Sequence, residues 1–290
     1  MREKFSFKKG YRARTIFNIF NHIFFVLLMF AMIIPIWKVV VDSVDPTAAY
    51  GIRLVPKAVS MDAYSYILGT PSLYKPFMVS VITTLVGTFI GLAVTTVGAY
   101  VIIQKDMPGR KLFVNMIMFT MLFNGGLIPT FLAIRDYGLL NNVWAVILPL
   151  SINAYNIILM KSFFEGLPAS LYEAAEIDGC TPMGIFWRIV LPLSKPALAS
   201  VGLFIAVAYW NDFFHFQIYL SNNPGWMNFQ VKVRELILSD ALLGTPTSGA
   251  MSAEMLKSAV VIIVMAPFLI VYPFLQKYFV KGVTLGAVKG

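Results

Sequence analysis

Residues 173–192 read EAAEIDGCTPMGIFWRIVLP, a polar and turn-rich stretch that lies between long apolar runs. At its start, Ser170 and Glu173 have the spacing of a capping box, which predicts the beginning of a short helix. That helix would run to about Asp178, and Gly179 suits the left-handed residue that often ends a helix. The stretch therefore opens with a short helix and a glycine corner.

A second helix is predicted after this corner. Thr181 and Pro182 have the pattern of an N-cap followed by proline at the first helical position, and the apolar spacing continues to Pro192. In the first helix, Ala174 and Ala175 lie on a face that another surface could approach closely. From these residues alone, that surface is either a partner protein or the helical bundle of the chain itself.

The composition of the chain indicates that these two short helices belong to a membrane protein. Of the 290 residues, 58% are hydrophobic and 13% are charged, whereas soluble domains carry about 25% charged residues. The single cysteine, Cys180, excludes an internal disulfide framework. A net charge of +9 in such a chain is typical of cytoplasmic loops. The sequence contains no nucleic-acid-binding motif, so no nucleic-acid partner is expected.

Six apolar runs approach or exceed the roughly 20 helical residues that cross a bilayer. They lie near residues 19–41, 77–103, 111–134, 143–162, 196–220 and 257–279. The first run is too long for the apolar region of a signal peptide and lacks a small-residue cleavage site, so it is predicted as a retained helix. The predicted fold class is an all-α membrane protein with six transmembrane helices.

The distribution of Lys and Arg predicts the orientation of these helices. Most of the 23 basic residues fall in segments that lie on one side of the membrane if the N-terminus is cytoplasmic. This gives a cytoplasmic N-terminal segment at 1–18, a permease domain at 19–279 and a cytoplasmic tail at 280–290. The stretch quoted above then lies in a cytoplasmic loop at about 163–195.

The spacing within this loop resembles the EAA loop of binding-protein-dependent ABC importer permeases. The matching residues are Glu173, Ala174, Ala175, Gly179, Ile189, Leu191 and Pro192. The resemblance implies a type I ABC importer permease fold, in which this loop is a coupling helix that docks on the ATPase subunit. It also implies that Glu173 meets a basic residue there and that Gly179 permits the corner.

Other segments narrow the resemblance to the MalG-type subunits of carbohydrate importers. Trp-Asn-Asp-Phe at 210–213 is similar to a family segment in the fifth helix, and the ending at 272–290 is similar to the MalG-type tail. FNGGLIPTFL at 123–132 and GIRLVPKAVSMDAYSYIL at 51–68 resemble the YtcP/LplC-like subgroup, which is associated with oligosaccharides. The resemblance implies a multi-pass protein of the bacterial cell membrane.

The chain has no site of its own for ATP. It lacks the Gly-x-x-x-x-Gly-Lys-Ser/Thr loop that holds nucleotide phosphates, so ATP and Mg would be bound by partner subunits and no cofactor is expected here. The resemblance implies four kinds of partner. They are a second, MalF-type permease, two ATPase subunits, an extracytoplasmic sugar-binding protein and an oligosaccharide substrate.

Two other classes of protein are alternatives to an ABC permease. A secondary carrier driven by an ion gradient is the alternative, but Asp212 is the only acid predicted clearly inside a span. A membrane-embedded enzyme would need a clustered set of catalytic residues that the spans lack. His22 and His215 are far apart in sequence and have no companions, so no metal site is predicted.

A sugar path needs amides, carboxylates and aromatic rings. The candidates are Trp210, Asn211, Asp212, His215 and Gln217 in the fifth run, and Asn153, Tyr155 and Asn156 in the fourth. A carboxylate within a span is costly and usually faces a cavity or a partner. For Asp212, a satisfied structural cap near the outer end of the helix is the other interpretation.

Predictions also follow for the C-terminal tail, the outer loops and a pair of glycines. The tail is either a mobile end or, as the resemblance implies, a contact to the ATPases through Lys281, Gly282, Gly286, Lys289 and Gly290. The outer loops at about 42–76 and 221–256 are candidates to receive the binding protein. Gly87 and Gly91 predict close helix packing, either within this subunit or against the second permease.

Overall fold

The computed structural model describes residues 3–49, 51, 53–238 and 251–287. In these ranges every regular element is helical. The α-helices are α1 (Glu3–Asp42), α2 (Asp62–Leu68), α3 (Tyr74–Ile103), α4 (Arg110–Leu122), α5 (Leu127–Asp136), α6 (Trp144–Ser151), α7 (Ala154–Glu165), α8 (Ala169–Ile177), α9 (Pro182–Ile185), α10 (Leu191–Leu193), α11 (Lys195–Asn211), α12 (Phe214–Tyr219), α13 (Phe229–Leu238) and α14 (Ala253–Ala287). Short 3₁₀ turns occupy Pro71–Leu73 and Pro224–Trp226, and a π-helical segment spans Phe186–Val190.

The chain divides into two compact units. One comprises Met1–Gly69 and Ser239–Met265, and the other comprises Thr70–Leu238 and Ala266–Gly290. The candidate coupling loop and all eight candidate path residues belong to the second unit.

In the first unit, α1 is followed by a turn built around Asp45. Asp45 is 1% exposed. It accepts hydrogen bonds from the backbone N–H and the hydroxyl of Thr47 at 2.8 and 2.7 Å, and from the backbone N–H of Lys57 at 3.0 Å. The N–H of Lys57 is the largest of the influences that lower the pKa of Asp45 below its ordinary value of 3.8. A single carboxylate thus ties together two parts of the segment that follows α1.

In the second unit, α3 is the central helix and packs against α6, α7 and α11. Glycines permit the close approach. A Cβ atom at Gly87 would lie 2.3 Å from Cζ of Tyr209, and one at Gly91 would lie 3.1 Å from the backbone oxygen of Ser151. The prediction that these two glycines pack within the subunit is confirmed.

Three helical segments in the described part of the chain are long and apolar enough to cross a membrane. They are Arg14–Asp42, Pro71–Ile103 and Ala253–Val271, and they match the first, second and sixth predicted runs. The count rises to five if two bent helix pairs each form one span. One pair is α6 with α7, bent by 41°, which matches the fourth run; the other joins Pro182–Leu193 to α11 at an angle of 81°.

The predicted apolar run at 111–134 does not form one continuous helix. The structure divides this run into α4 and α5, with an irregular link at 123–126. Gly126 has a φ of +89°, and its N–H donates to the side-chain oxygen of Asn124 at 2.9 Å. This local turn competes with the helical hydrogen bonds, which is the physical reason for the break.

The fifth predicted run, 196–220, is also interrupted. The helix α11 ends at Asn211, the backbone is extended at Asp212, and α12 begins at Phe214. Ser194 separates the start of α11 from the end of α10.

Candidate functional site

The loop between α7 and α11 has the predicted helix–corner–helix form. The short helix α8 is followed by Gly179 with a φ of +74°, a left-handed conformation that favours glycine. Thr181 then caps α9, since its side-chain oxygen accepts from the N–H of Gly184 at 3.2 Å, and Pro182 follows at the first helical position. The glycine corner and the second cap are confirmed.

The predicted capping box at Ser170 is wrong. The helix α8 begins two residues earlier, at Ala169 after Pro168, and has no side-chain cap. The carbonyl of Pro168 already accepts from the N–H of Leu171 at 3.1 Å. Ser170 therefore lies inside the first turn, where it cannot be the N-cap.

One face of the loop packs against the helices of its own bundle. Ala175, Ile185, Phe186 and Val190 are 4% exposed or less. They share a core with Ala99 and Tyr100 of α3, Met160 and Phe164 of α7, and Ala197 and Val201 of α11. Ile189 and Leu191 are partly buried against the same core. Burying each large apolar side chain contributes about 1.5–3 kcal/mol, so this face anchors the loop.

The other face of the loop is open. Glu173 and Ala174 are exposed, and Ile177 and Met183 are 86% and 58% exposed. Large apolar side chains that stand this far out beside a carboxylate form a surface suited to a protein partner. Packing on the chain's own bundle thus accounts for one face of the loop, and the open face leaves the partner interpretation as a prediction.

The loop is also tied to α3 by a long-range contact. The hydroxyl of Tyr100 donates to the backbone oxygen of Pro182 at 2.7 Å, and the Tyr100 ring lies 4.9 Å from that of Phe186. On the other side of the corner, the hydroxyl of Tyr172 donates to the oxygen of Phe164 at 3.3 Å. Burial raises the pKa of Tyr172 to about 12, so this hydroxyl keeps its proton at physiological pH.

A cavity of about 300 Å³ lies where α6 and α7 meet α11. It is lined by Leu150, Asn153, Tyr155, Asn156, Phe204, Ile205 and Ala208. The structure thus brings together all three path candidates of the fourth run. Sequence reasoning missed Phe204, because one aromatic residue in an apolar helix gives no signal of a cavity.

The path candidates of the fifth run are not among the lining residues of this cavity. Trp210 is 4% exposed and packs edge-to-face on Phe77 at 6.0 Å, whereas Asn211 is exposed and donates to the oxygen of Val207 at 3.0 Å. Gln217 is exposed on α12.

Asp212 joins the two helices at the break. Its Oδ1 atom lies 2.8 Å from Nδ1 of His215, and the N–H of His215 donates to the same atom at 3.4 Å. The backbone oxygen of Asp212 accepts from the carboxamide of Asn228. These contacts fit a structural cap, the second of the interpretations given for this residue. The other carboxylate oxygen, Oδ2, is buried and has no hydrogen-bond partner among the described residues, so the cap is only partly satisfied.

The remaining predictions concern the C-terminal tail, the second outer loop and metal binding. Lys281, Gly282 and Gly286 lie in the helical backbone of α14, whereas Lys289 and Gly290 lie outside the described residues. Residues 239–250 of the predicted second outer loop also lie outside them. Within the described ranges, no group of three His, Cys, Asp or Glu residues could hold a metal ion.

Comparison with known proteins shows the family to which this chain belongs. The profile described as "Binding-protein-dependent transport system inner membrane component" matches residues 112–285, more than half of the chain. This chain belongs to that family. It is a permease subunit of an ABC importer, and in such importers the ATPase is a separate subunit.

Individual members of the family match nearly the whole chain. Protein LplC of Bacillus subtilis (strain 168) is 41% identical over 96% of this chain and 97% of its own length. The polygalacturonan/rhamnogalacturonan transport system permease protein YtcP of the same organism is 43% identical over 91% of this chain and 96% of its own. These matches confirm the resemblance drawn from the sequence.

A solved structure shows the fold of the family. The crystal structure of a bacterial ABC transporter involved in the import of the acidic polysaccharide alginate contains a chain that superposes with a TM-score of 0.84. The match covers 92% of this permease and 98% of that chain, at 32% identity. The all-helical type I ABC permease fold is therefore confirmed.

Proposed function

We propose that this permease forms half of the path through which an ABC importer carries oligosaccharides into a bacterial cell. The open face of the loop at 163–195, held on its own bundle by a buried face, is the observation that carries this proposal. The names of the relatives support the substrate class, since YtcP is named for the transport of polygalacturonan and rhamnogalacturonan.

We infer that the complete importer contains this chain, a MalF-type permease, two ATPase subunits that bind ATP and Mg, and an extracytoplasmic sugar-binding protein. The chain crosses the membrane six times, with 1–18, 163–195 and 280–290 in the cytoplasm. The basic residues of these segments support this arrangement. The outer loops receive the binding protein.

The residues of the coupling loop have two kinds of role. Glu173 and Ala174 contact the ATPase, because they lie on the open face. Ala175, Ile189 and Leu191 hold the loop to the bundle. Gly179 makes the corner between the two helices, and Pro192 lies where the second of them returns to the bundle.

The sugar path passes the cavity at the start of α7. Asn153, Tyr155 and Asn156 supply polar groups, and the rings of Tyr155 and Phe204 supply flat faces on which a sugar ring can lie. The break between α11 and α12 has the other candidates around it, namely Trp210, Asn211, Asp212, His215 and Gln217. Asp212 and His215 maintain that break, and Asn211 and Gln217 offer exposed amides.

Glu173→Lys tests the coupling role. In proteoliposomes that contain the whole importer, its loaded binding protein and internal ATP, this variant should assemble and bind the binding protein but lose most uptake. Asp136→Lys is the control, because Asp136 is an exposed carboxylate on α5 whose ion pair with Arg135 joins neighbours in sequence. Wild-type uptake by the Glu173 variant would exclude the coupling role. Uptake driven by an ion gradient without ATP would exclude the importer itself.

The C-terminal tail has its own test. We propose that Lys281, Gly282, Gly286, Lys289 and Gly290 belong to a tail that contacts the ATPases. Deleting residues 283–290 should then preserve assembly and lower the sugar-stimulated ATPase rate and uptake together. Equal stimulated rates in truncated and full-length importers would contradict this contact.

A further inference from the structure

Arg110, the first residue of α4, connects the ends of α3 and α7. Its Nε–H donates to the backbone oxygen of Ile102, in the last turn of α3, at 2.7 Å. Its Nη2–H donates to Oε1 of Glu165, the last residue of α7, at 3.1 Å. One guanidinium thus joins the start of its own helix to the ends of two others.

The guanidinium fixes a geometry as well as supplying a charge. It is planar and presents its N–H groups in a rigid fork, so the two bonds together set the position of Ile102 relative to Glu165. The Ile102 carbonyl is among the last four of its helix, which have no partner within a helix. A lysine at position 110 would keep a positive charge near Glu165, but its single ammonium would not reproduce the fork.

Glu165 uses its two carboxylate oxygens differently. Oε1 accepts from Arg110 of α4, whereas Oε2 accepts from Nζ of Lys161 at 2.7 Å. Lys161 lies one turn earlier in the same helix, so its ion pair cannot relate α7 to another element. Of the two pairs, only the one with Arg110 crosses between helices. The same carboxylate therefore contains its own internal comparison.

The end of α7 is also where the coupling loop begins. Three residues separate Glu165 from the start of α8. The backbone oxygen of the preceding residue, Phe164, accepts from the hydroxyl of Tyr172 in α8 at 3.3 Å, and Phe164 is fully buried. A continuous series of contacts thus runs from α8 through the end of α7 to Arg110.

Stability alone gives little reason for the contact between Arg110 and Glu165. Their side chains are 32% and 38% exposed, and exposed ion pairs contribute little to the free energy of unfolding. In the described part of the chain no side chain of α4 is buried, so apolar burial does little to fix this helix on the second unit. The ion pair is therefore better suited to set the position of α4 than to stabilise the fold.

We propose that Arg110 is a positioning residue of the transport cycle, which makes α4 follow the end of α7 when the coupling loop moves. The inference rests on the proposed function, because it takes residues 163–195 as the loop that contacts the ATPase. Movement of α8 displaces the end of α7 through the contact at Phe164, and the guanidinium carries this displacement to α4. The bond between Tyr100 and Pro182 is a separate connection, which leaves the loop after the glycine corner.

Three variants separate the geometry of the contact from its charge. Arg110→Lys keeps a cation beside Glu165 and loses the fork. Lys161→Gln removes the other cation from the same carboxylate and leaves the contact between helices intact, so it is the matched control. Glu165→Ala releases Arg110 from the opposite side without impairing helix formation, and it decides the question if Arg110→Lys does not assemble.

The measurement is hydrogen exchange by mass spectrometry on the purified four-subunit importer in lipid nanodiscs, with and without ATP and orthovanadate. Orthovanadate mimics the transferred phosphoryl group and so arrests the ATPases. In the wild type and in Lys161→Gln, the nucleotide should change exchange both at 163–195 and at 104–116. In Arg110→Lys and Glu165→Ala, the change at 104–116 should fall about threefold, an effect of the size found for residues in coupling networks.

The change at 163–195 should persist in all three variants, and their thermal unfolding midpoints should stay close to that of the wild type. An undiminished response at 104–116 in Arg110→Lys and Glu165→Ala would overturn the inference, and so would an equal loss in Lys161→Gln. In the wild type, a response at 163–195 without one at 104–116 would refute the inference and leave the proposed function standing. No response at 163–195 would refute the coupling role of the loop, and the role of Arg110 with it.

Discussion

Gly87 sets the distance between α3 and α11. The ring of Tyr209 covers it so closely that any Cβ atom would overlap three ring carbons, the nearest at 2.3 Å. The ring cannot move aside easily, since Tyr209 is 1% exposed and its hydroxyl donates to the backbone oxygen of Ile147. The absence of a side chain at Gly87 thus lets α3 pack closely against α11, and the hydroxyl of Tyr209 joins α11 to α6.

Gly87→Ala should therefore destabilise the subunit by about 1–3 kcal/mol, the usual cost of overpacking a buried contact. The measurement is the thermal unfolding midpoint of the importer in detergent. Gly98→Ala is the matched control, because a Cβ atom at Gly98 in the same helix meets nothing within 4 Å. Equal midpoints for the two variants would contradict the packing argument.

Asp45 has a comparable role in the segment after α1. Its carboxylate accepts from two backbone N–H groups and one hydroxyl. In Asp45→Asn, an NH₂ group would face at least one of these donors, so the turn should open. Hydrogen exchange of the Thr47 and Lys57 amides at pH 7 should be faster in this variant than in Asp62→Asn, a change at an exposed carboxylate.

The turn should also depend on pH. The pKa of Asp45 is lowered in the folded chain, chiefly by the N–H of Lys57. The carboxylate therefore stabilises the turn fully above its ordinary pKa of 3.8, and this stabilisation is lost as the pH falls through the lower, folded pKa. Protection of the two amides, corrected for intrinsic exchange, should persist at pH 5. Its loss already near pH 6 would show that another group controls the turn.

At the scale of helices, Tyr100 joins α3 to the coupling loop. Its hydroxyl meets the carbonyl of Pro182, and its ring meets Phe186 at the start of the π-helical segment. We expect movement of the loop to be transmitted to α3 through these two contacts. The π segment is suited to this position, because single π turns inside helices frequently occur at functional sites.

Tyr100→Phe keeps the ring contact and removes the hydrogen bond, which is worth about 0.5–1.5 kcal/mol. We expect a few-fold fall in sugar molecules transported per ATP hydrolysed, with an ATPase rate close to that of the wild type. Proteoliposomes in which uptake and phosphate release are measured together give this ratio. Tyr137→Phe is the control, since Tyr137 is 81% exposed. An unchanged ratio in the Tyr100 variant would remove it from the coupling apparatus.

The helix ends show where a prediction from neighbouring residues succeeds and where it fails. Gly179 and Thr181 were predicted from their own neighbours, and the structure agrees, because a left-handed corner and an N-cap depend on a few adjacent residues. Ser170 satisfied the same kind of rule and failed, because Pro168 begins the helix earlier. The apolar run at 111–134 is divided for a similar reason, since the turn at Asn124 and Gly126 overrides the apolar composition.

At the scale of the whole molecule, the orientation in the membrane is testable with Cys180, the single cysteine. A membrane-impermeant maleimide should label it in inside-out vesicles and leave it unlabelled in right-side-out vesicles. The control is Ser72→Cys in a Cys180→Ser background, because Ser72 is exposed and belongs to the proposed outer segment. Its labelling should follow the opposite pattern. Labelling of Cys180 from outside would invert the proposed topology.

The cavity illustrates what sequence reasoning lacks at this scale. Asn153, Tyr155 and Asn156 were recognisable as polar residues in an apolar run. Their association with Phe204 depends on how α7 meets α11, and the two elements are about 40 residues apart in the sequence. The separation of Trp210 and Asp212 from this cavity depends on the same packing. Such relations are properties of the tertiary fold, which local patterns do not encode.

The break between α6 and α7 also constrains how the chain is made. The two helices have 8 and 12 residues, which correspond to roughly 12 and 18 Å of helix, and a bilayer core is about 30 Å thick. Neither half can be recognised alone as a membrane segment during synthesis. We therefore expect the translocon to release the two halves to lipid as one unit. The surroundings of Asn153 would then be complete only after α11 has been made. On this expectation the bend enters the bilayer before the cavity exists, because part of the cavity wall belongs to α11, which is translated later.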